Sequence, residues 1–368
     1  MEKKNIPLLK VHMPKNAGRS VLKTLNSGFI TEGPKVHEFE KLVGEFIGNQ
    51  NVIATNSCTG AIQIALQIAG VKNGSEVIST AMTCQATNQP ILQTGADIVW
   101  ADIQPDTGNI SYESIKEKIT SKTKAIMMMH WGGQPCDISE INQIAKERDI
   151  FVIEDAASAF GAEYHNQKIG THSDFVCFSF GAVKHITTGD GGLLAMRNPS
   201  LVERAVLLKN QGNNKKVKRT EVEWYFNITE PGWKFSMNDI SASIGIIQLQ
   251  YQKQLLEKRN ENALFYDQHL KNIPGLKTLT RKTDRKSADW IYTVLVEKKE
   301  NFVRKLKEFG IQTSIVHQRN DIHEIYSRFR TDLPGLDKFY SEMINIPVGW
   351  WLTNEDREFI VSVIKEGW

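Results

Sequence analysis

An α/β fold is predicted for this 368-residue chain: a mainly parallel sheet with helices on both faces in three layers, then a smaller C-terminal α+β lobe. Three observations carry that expectation. Short apolar runs alternate with helically spaced ones from about residue 36 to residue 200, the pattern of successive βα units. Hydroxyls, a carboxylate and a lysine fall just after several of those runs, at strand ends where open α/β sheets bind ligands. The last hundred or so residues abandon the alternation.

The strands are marked by Ile53, Val77-Ile78, Ile98-Val99, the run 125–129, Val152-Ile153, Val176-Cys177-Phe178 and Leu193-Leu194-Ala195. Asn238-Asp239-Ile240 opens a long helical stretch through Ile244, Ile246, Ile247, Leu249, Leu255 and Leu256, a connector between lobes. Beyond it, 290–296 reads as a strand, 301–309 as a helix and 311–316 as a further strand. Thr353-Asn354-Glu355-Asp356 fits a capping box that opens a final helix. The expected division is a large α/β domain over 1–245, its N-terminal segment packed on the small lobe, and a linker helix with a small α+β domain over 246–368.

Composition narrows the function. A net charge of only +3 gives no case for nucleic acid, and no apolar stretch suits a signal peptide or a membrane span, so a cytoplasmic protein is expected. Cys58, Cys84, Cys136 and Cys177 are scattered, without the paired spacing of a zinc site, and read as reduced thiols; no metal is expected. The run Lys215-Lys216-Val217-Lys218-Arg219 reads as a solvated loop, or as a basic loop meeting a diphosphate.

Three segments carry chemistry. In Ser179-Phe180-Gly181-Ala182-Val183-Lys184 a hydroxyl and an amine follow a buried strand, placed to hold a phosphate and form an imine on one molecule. In Phe151-Val152-Ile153-Glu154-Asp155-Ala156-Ala157-Ser158 the carboxylate Asp155 ends a strand, where it could keep a pyridine nitrogen protonated; Glu154 would do so only with the register shifted by one. In Asn51-Val52-Ile53-Ala54-Thr55-Asn56-Ser57-Cys58-Thr59-Gly60-Ala61 a loop feeds a helix whose unpaired N–H groups suit a phosphate, with Ser57 or Thr59 adding a hydroxyl.

Taken in order, these segments resemble the fold-type I pyridoxal-phosphate enzymes, and within them the DegT/DnrJ/EryC1/StrS sugar aminotransferase family. The resemblance spans nearly the whole chain. It includes Gly28-Phe29-Ile30-Thr31-Glu32-Gly33-Pro34, His130-Trp131-Gly132-Gly133-Gln134-Pro135-Cys136-Asp137 and Trp233-Lys234-Phe235-Ser236-Met237-Asn238-Asp239. It implies that Lys184 is the Schiff-base lysine and proton shuttle, and that Asp155 is the partner of the ring nitrogen. Cys58, Thr59 and Ser179 become the phosphate cradle, and Ser158 lies near the ring's phenolic oxygen. Cys84 stands where the family carries an aromatic residue stacked on the ring, Asp190 replaces a Glu, and Lys234 replaces an Asn that reaches the neighbouring subunit's phosphate. Lys184 also stands where a dehydratase branch carries His, which favours transamination.

The implied function is a homodimeric aminotransferase, with pyridoxal 5'-phosphate as cofactor. It would convert a keto-sugar, chiefly a nucleotide-linked 4-keto-6-deoxyhexose, to an amino sugar with L-glutamate as donor. A 3-keto-sugar aminotransferase, a sugar dehydratase and a non-catalytic regulator on the same scaffold are the alternatives. Thr31, His317 and Arg319 are the residues assigned to substrate: His317 for a hydroxyl, Arg319 for a phosphate or carboxylate. Trp350-Trp351 reads either as a stacking platform or as packing.

Overall fold

The structure, a computed structural model, describes residues 2–213 and 228–368; the basic run 215–219 lies outside the described residues. Seven strands form the main sheet: β1 (Val52–Thr55), β2 (Glu76–Thr80), β3 (Asp97–Ala101), β4 (Thr123–Met129), β5 (Phe151–Asp155), β6 (Phe175–Ser179) and β7 (Gly192–Met196). Their order is β1-β7-β6-β5-β4-β2-β3, and only β7 runs antiparallel to its neighbours. The ends of β1, β2, β4, β5 and β6 therefore open on one edge, and every chemistry-bearing segment leaves from that edge.

Burial on both faces explains the continuous apolar runs. Ile153, Phe175, Cys177 and Leu194 pack with Ile62 and Leu66 of the helix Cys58–Ile68, while Val152, Val176, Phe178 and Leu193 pack on the opposite face with Phe39 and Val43 of the helix Pro34–Ile47. Successive side chains on a strand point to opposite faces, so two adjacent residues serve two different layers. That alternation decides the roles of Glu154 and Asp155.

A second sheet of three antiparallel strands, Leu276–Thr278, Tyr292–Val296 and Met343–Ile346, carries its own core with Phe302, Leu306, Ile360 and Ile364. Two expectations change here. The segment 311–316 is not a strand: Ile311 makes a single bridge to Ile6, and Ser314 another to Asn345, so Met343–Ile346 supplies the edge instead. The long helix after Asn238 is two helices, Asp239–Leu249 and Gln252–His269, separated at Gln250 and Tyr251. The helix expected over 301–309 is Lys299–Glu308, and the final helix Asn354–Lys365 opens on a capping box of Thr353 and Asp356.

The N-terminal segment crosses between the two sheets. Ile6 bridges Ile311, the Trp351 indole donates to Pro7 O at 3.0 Å, and the following helix Ala17–Ser27 lies against Asp239–Leu249. Trp350 packs edge-on to His12 with ring centroids 4.9 Å apart. Both tryptophans therefore pack against the N-terminal segment. Asp239 closes the same region: its carboxylate accepts from the N–H groups of Gly33, Lys35 and Val36 at 2.9–3.1 Å, capping the helix Pro34–Ile47.

Candidate active site

The site is assembled from the strand ends upward. Past β1, the Ser57 hydroxyl accepts from Gly60 N–H at 3.0 Å and caps Cys58–Ile68, leaving the first-turn N–H groups of Cys58 and Thr59 without intrahelical acceptors. The antiparallel strand β7 passes directly beneath: a Cβ on Gly192 would lie 2.4 Å from Cys58 N and 2.3 Å from Ser57 C. Only glycine lets the sheet approach this helix start so closely. Ser179 ends the neighbouring β6, and its hydroxyl accepts from Gly181 N–H at 3.3 Å, at the head of the turn that carries Lys184.

Asp155 ends β5 on the face shared with Cys58. One of its oxygens accepts from Ala157 N–H at 3.0 Å and lies 4.0 Å from Cys58 Sγ; the other accepts from Thr87 Oγ1 at 2.5 Å. Glu154 points to the opposite face, where it is fully buried against His130 at 2.8 Å. Cys136 N–H donates to His130 Nδ1 at 3.1 Å, so Nε2 carries the imidazole proton and donates it to Glu154. Glu154 is thus committed to holding the loop after β4, and Asp155 is the carboxylate that faces the cleft.

Lys184 sits on the turn after β6 with Nζ 3.7 Å from the centroid of Trp290. Trp290 is held from three sides. Its N–H donates to Gly132 O at 2.8 Å, its indole donates to Val183 O at 2.9 Å, and its carbonyl accepts from buried Arg259 at 3.0 Å. Gly133 completes the clamp by accepting from Ala288 N–H at 3.0 Å; with φ of 101° and a Cβ that would lie 2.5 Å from Ser158 O, it has to be glycine. His317 stacks on Trp290 with ring centroids 5.8 Å apart. Burial of the amine lowers the Lys184 pKa, an effect that the charge of Asp155 opposes, so the neutral amine is more available than in water. Burial likewise pushes the thiol of Cys58 well up, and it stays protonated.

The residues assigned to substrate fare differently. His317 lies beside Trp290, and burial depresses its pKa to about 3, so it is a neutral hydrogen-bonding group. Arg319 does not face the site as a free cation: its guanidinium grips Asp321 at 2.7 and 2.8 Å and also binds Asp337. A guanidinium with two carboxylates already paired is a structural clasp, and the reading of Arg319 as a phosphate partner is not retained. Thr31 is exposed, and its carbonyl accepts from Asp239 N–H at 2.8 Å. Lys234 is exposed on a bridge to Asn210, Ser158 is buried, and Cys84 is half-buried at the start of the helix Gln85–Gln93.

Three participants were not singled out from the sequence. Trp290 reads there as one more apolar strand residue. Thr87 lies in the Thr83-Cys84-Gln85-Ala86-Thr87-Asn88 segment noted only for Cys84; its signal was two threonines four residues apart at a helix start, one helical turn. Asn320 is fully buried, donating to Thr83 O at 2.7 Å and accepting from Asn88 at 2.8 Å, which ties the loop after His317 to that helix start.

His185, next to Lys184, is buried and donates to Ala288 O at 2.9 Å, and burial lowers its pKa from 6.5 to about 3. Between those values the unfolded chain binds a proton that the folded protein refuses. Stability is therefore expected to fall as pH drops below about 6.5, by up to about 1.4 kcal/mol per pH unit from this residue. Urea midpoints of wild type and His185→Gln across this window should diverge by one proton's slope; parallel curves would show that folded His185 accepts the proton.

A profile of the DegT/DnrJ/EryC1/StrS aminotransferase family matches residues 12–365. The chain belongs to that family. The crystal structure of the sugar aminotransferase CalS13 from Micromonospora echinospora superposes with a TM-score of 0.95 at 37% identity, covering 99% of this chain and 100% of that one. The UDP-4-amino-4,6-dideoxy-N-acetyl-beta-L-altrosamine transaminase of Campylobacter jejuni is 30% identical over 94% of this chain and 93% of its own. Spr1654 from Streptococcus pneumoniae, solved in a PLP form, matches with a TM-score of 0.92 at 28% identity, over 99% of this chain and 98% of that one. The fold is thus that of the fold-type I enzymes, and the chain is a pyridoxal-phosphate-dependent aminotransferase. Among the described residues no helix is long and apolar enough to cross a membrane, no group of side chains could hold a metal ion, and all four cysteines are free.

Proposed function

We propose that this aminotransferase acts on a nucleotide-linked keto-sugar, a 4-keto-6-deoxyhexose, with L-glutamate as amino donor and Lys184 as the catalytic amine. The observation that carries the reading is a half-buried lysine whose pKa is lowered by desolvation, close enough to feel the charge of the buried carboxylate Asp155 at a neighbouring strand end. The sugar class is supported by the relatives: CalS13 is a sugar aminotransferase, and the Campylobacter enzyme's name specifies nitrogen at carbon 4 of a 4,6-dideoxy UDP-sugar.

The cleft fits pyridoxal phosphate, because it offers a glycine-backed helix start for an anion and a fixed carboxylate for a basic ring nitrogen. When bound, the cofactor supplies an electron-withdrawing ring that stabilises negative charge at the amino-bearing carbon. Every other function falls to this chain. The Cys58 and Thr59 end of the helix, with the hydroxyls of Thr59 and Ser179, would hold the phosphate, and Lys234 would serve a neighbouring subunit's phosphate. Asp155 would hold the ring-nitrogen proton, and Ser158 would serve the phenolic oxygen. Half-buried Cys84 would offer the ring a polarisable sulfur in place of an aromatic. Lys184 Nζ, set 3.7 Å from the Trp290 ring centroid, would be the group that removes and returns the proton at the amino-bearing carbon. His317 stays neutral and hydrogen-bonds a sugar hydroxyl; Thr31 lines the substrate entrance.

The proposal includes a cofactor-binding domain over 1–245, a linker helix and small domain over 246–368, and a homodimer. Leu22 (58% exposed) and Leu25 of the helix Ala17–Ser27, with Phe29 (62% exposed) and Ile30 just beyond it, form an apolar face that suits a second copy. The test is a spectrum of the protein with pyridoxal phosphate before and after L-glutamate, with assembly read by sedimentation, followed by UDP- and other nucleotide-linked 4-keto-6-deoxyhexoses. One 2-oxoglutarate released per site, and return of the original band on adding a 4-keto-sugar, is the expected result. Unchanged absorbance with glutamate would reject it as donor, and a monomer would reject the dimer.

A further inference from the structure

We infer that Thr87, backed by Thr83, is a positioning residue for the aminotransferase reaction that acts through Asp155 on the ring nitrogen of the bound cofactor. Thr87 Oγ1 is 2.5 Å from Asp155 Oδ2 and 2.7 Å from Thr83 Oγ1, and both threonines are fully buried. The direction of the chain follows from proton counting. An ionised carboxylate only accepts, so Thr87 gives Asp155 its single hydroxyl hydrogen. Thr87 has none left for Thr83, so Thr83 donates to Thr87. The result is a one-way series, Thr83 to Thr87 to Asp155, in which each hydrogen bond polarises the next away from water.

The series fixes more than a hydrogen bond. Ala157 N–H holds the other oxygen of Asp155 at 3.0 Å, so donors at both ends set the plane of the carboxylate and present its remaining lone pairs to the cleft. Thr83 and Thr87 lie either side of Cys84 at the start of Gln85–Gln93, and buried Asn320 grips Thr83 O at 2.7 Å and Asn88 at 2.8 Å. Asn320 follows His317 by three residues, so the loop bearing His317 and the element that orients Asp155 form one hydrogen-bonded body.

This inference rests on the assignment of Asp155 to the ring nitrogen, and its test separates the two. Equilibrium affinities are measured for pyridoxal phosphate and for its 1-deaza analogue, in which carbon replaces the ring nitrogen, with wild type, Thr87→Val, Thr87→Ser and Asp155→Asn. Wild type should prefer the natural cofactor, and Asp155→Asn should erase the preference. Thr87→Val, nearly isosteric but without the hydroxyl, should lose about 10- to 100-fold of that preference, the range of one hydrogen bond to a charged group. Affinity for the deaza analogue should stay within about threefold, and Thr87→Ser should restore the wild-type ratio. A general loosening of the fold would weaken both cofactors alike and leave their ratio unchanged. A wild-type ratio retained in Thr87→Val would overturn the role of Thr87 while leaving Asp155 in place. A ratio near one in wild type would overturn the Asp155 assignment and this inference with it.

Discussion

Lys184→Ala is expected to lower the half-reaction with L-glutamate by about 10⁴-fold or more and to abolish covalent attachment of the cofactor. Positioned proton transfer alone contributes up to about 10⁴-fold, and this lysine also supplies an amine set against Trp290. Its amine is held 3.7 Å from the Trp290 ring, and burial lowers its pKa, so on the proposed mechanism alanine would remove both the nucleophile and the proton carrier. Lys184→Arg should be as inactive, because a guanidinium stays protonated at any working pH. Borohydride reduction in the presence of pyridoxal phosphate, followed by peptide mass analysis, gives the check. Wild type should carry the label on the peptide containing Lys184, and the alanine variant should carry none. Turnover within about tenfold of wild type in Lys184→Ala would remove Lys184 from the chemistry.

Asp155→Asn is expected to be the second most damaging change, lowering turnover by about 10³-fold, at the upper end of what one preorganised electrostatic group supplies. The carboxylate serves two donors at once, Ala157 N–H at 3.0 Å and the Thr87 hydroxyl at 2.5 Å. An amide has one oxygen for these two partners and no charge to hold a proton on a ring nitrogen. The shape of the site is nearly preserved, so the loss should appear in kcat more than in the KM for the amino donor. Single-turnover proton exchange at the α-carbon of glutamate would measure it directly; a variant exchanging at the wild-type rate would show that ring-nitrogen protonation is not what Asp155 provides. Glu154→Gln makes the contrast. It alters a residue buried on the other face against His130, and its principal effect should be on stability.

The contrast between Glu154 and Asp155 shows how far residue order reaches. Adjacent carboxylates at a strand end must face opposite layers, a consequence of strand geometry alone, so one of them had to face the cleft. Which face held the cleft depended on the helix Cys58–Ile68 packing against Ile153 and not against Val152, a long-range choice. The strand-end placement of Lys184, Ser179 and Ser57 was legible because each ends or follows an apolar strand run within a few residues. Trp290 was not, since it lies far along the chain from Lys184 and is brought to it by hydrogen bonds to the carbonyls of Gly132 and Val183 and from Arg259. Arg319 was misjudged for the converse reason. A surface-loop arginine looks available until Asp337, eighteen residues on, is brought to it. The supposed strand 311–316 failed similarly: its apolar residues pack, but its neighbours offer only isolated bridges to Ile6 and Asn345.

Local rules therefore determined the parallel-sheet architecture, the helix starts, the capping box at Thr353 and the residues that crowd the strand ends. Those features rest on periodicity, turn chemistry and capping, interactions spanning a few residues. Tertiary packing alone decided which carboxylate faces the cleft, that Trp290 lies against Lys184, that Thr83 and Thr87 hold Asp155, and that Arg319 is tied to Asp337. Each of those depends on a partner brought from elsewhere in the chain, and a hydrogen bond or a desolvated amine acquires its energy only when burial has removed the competing water.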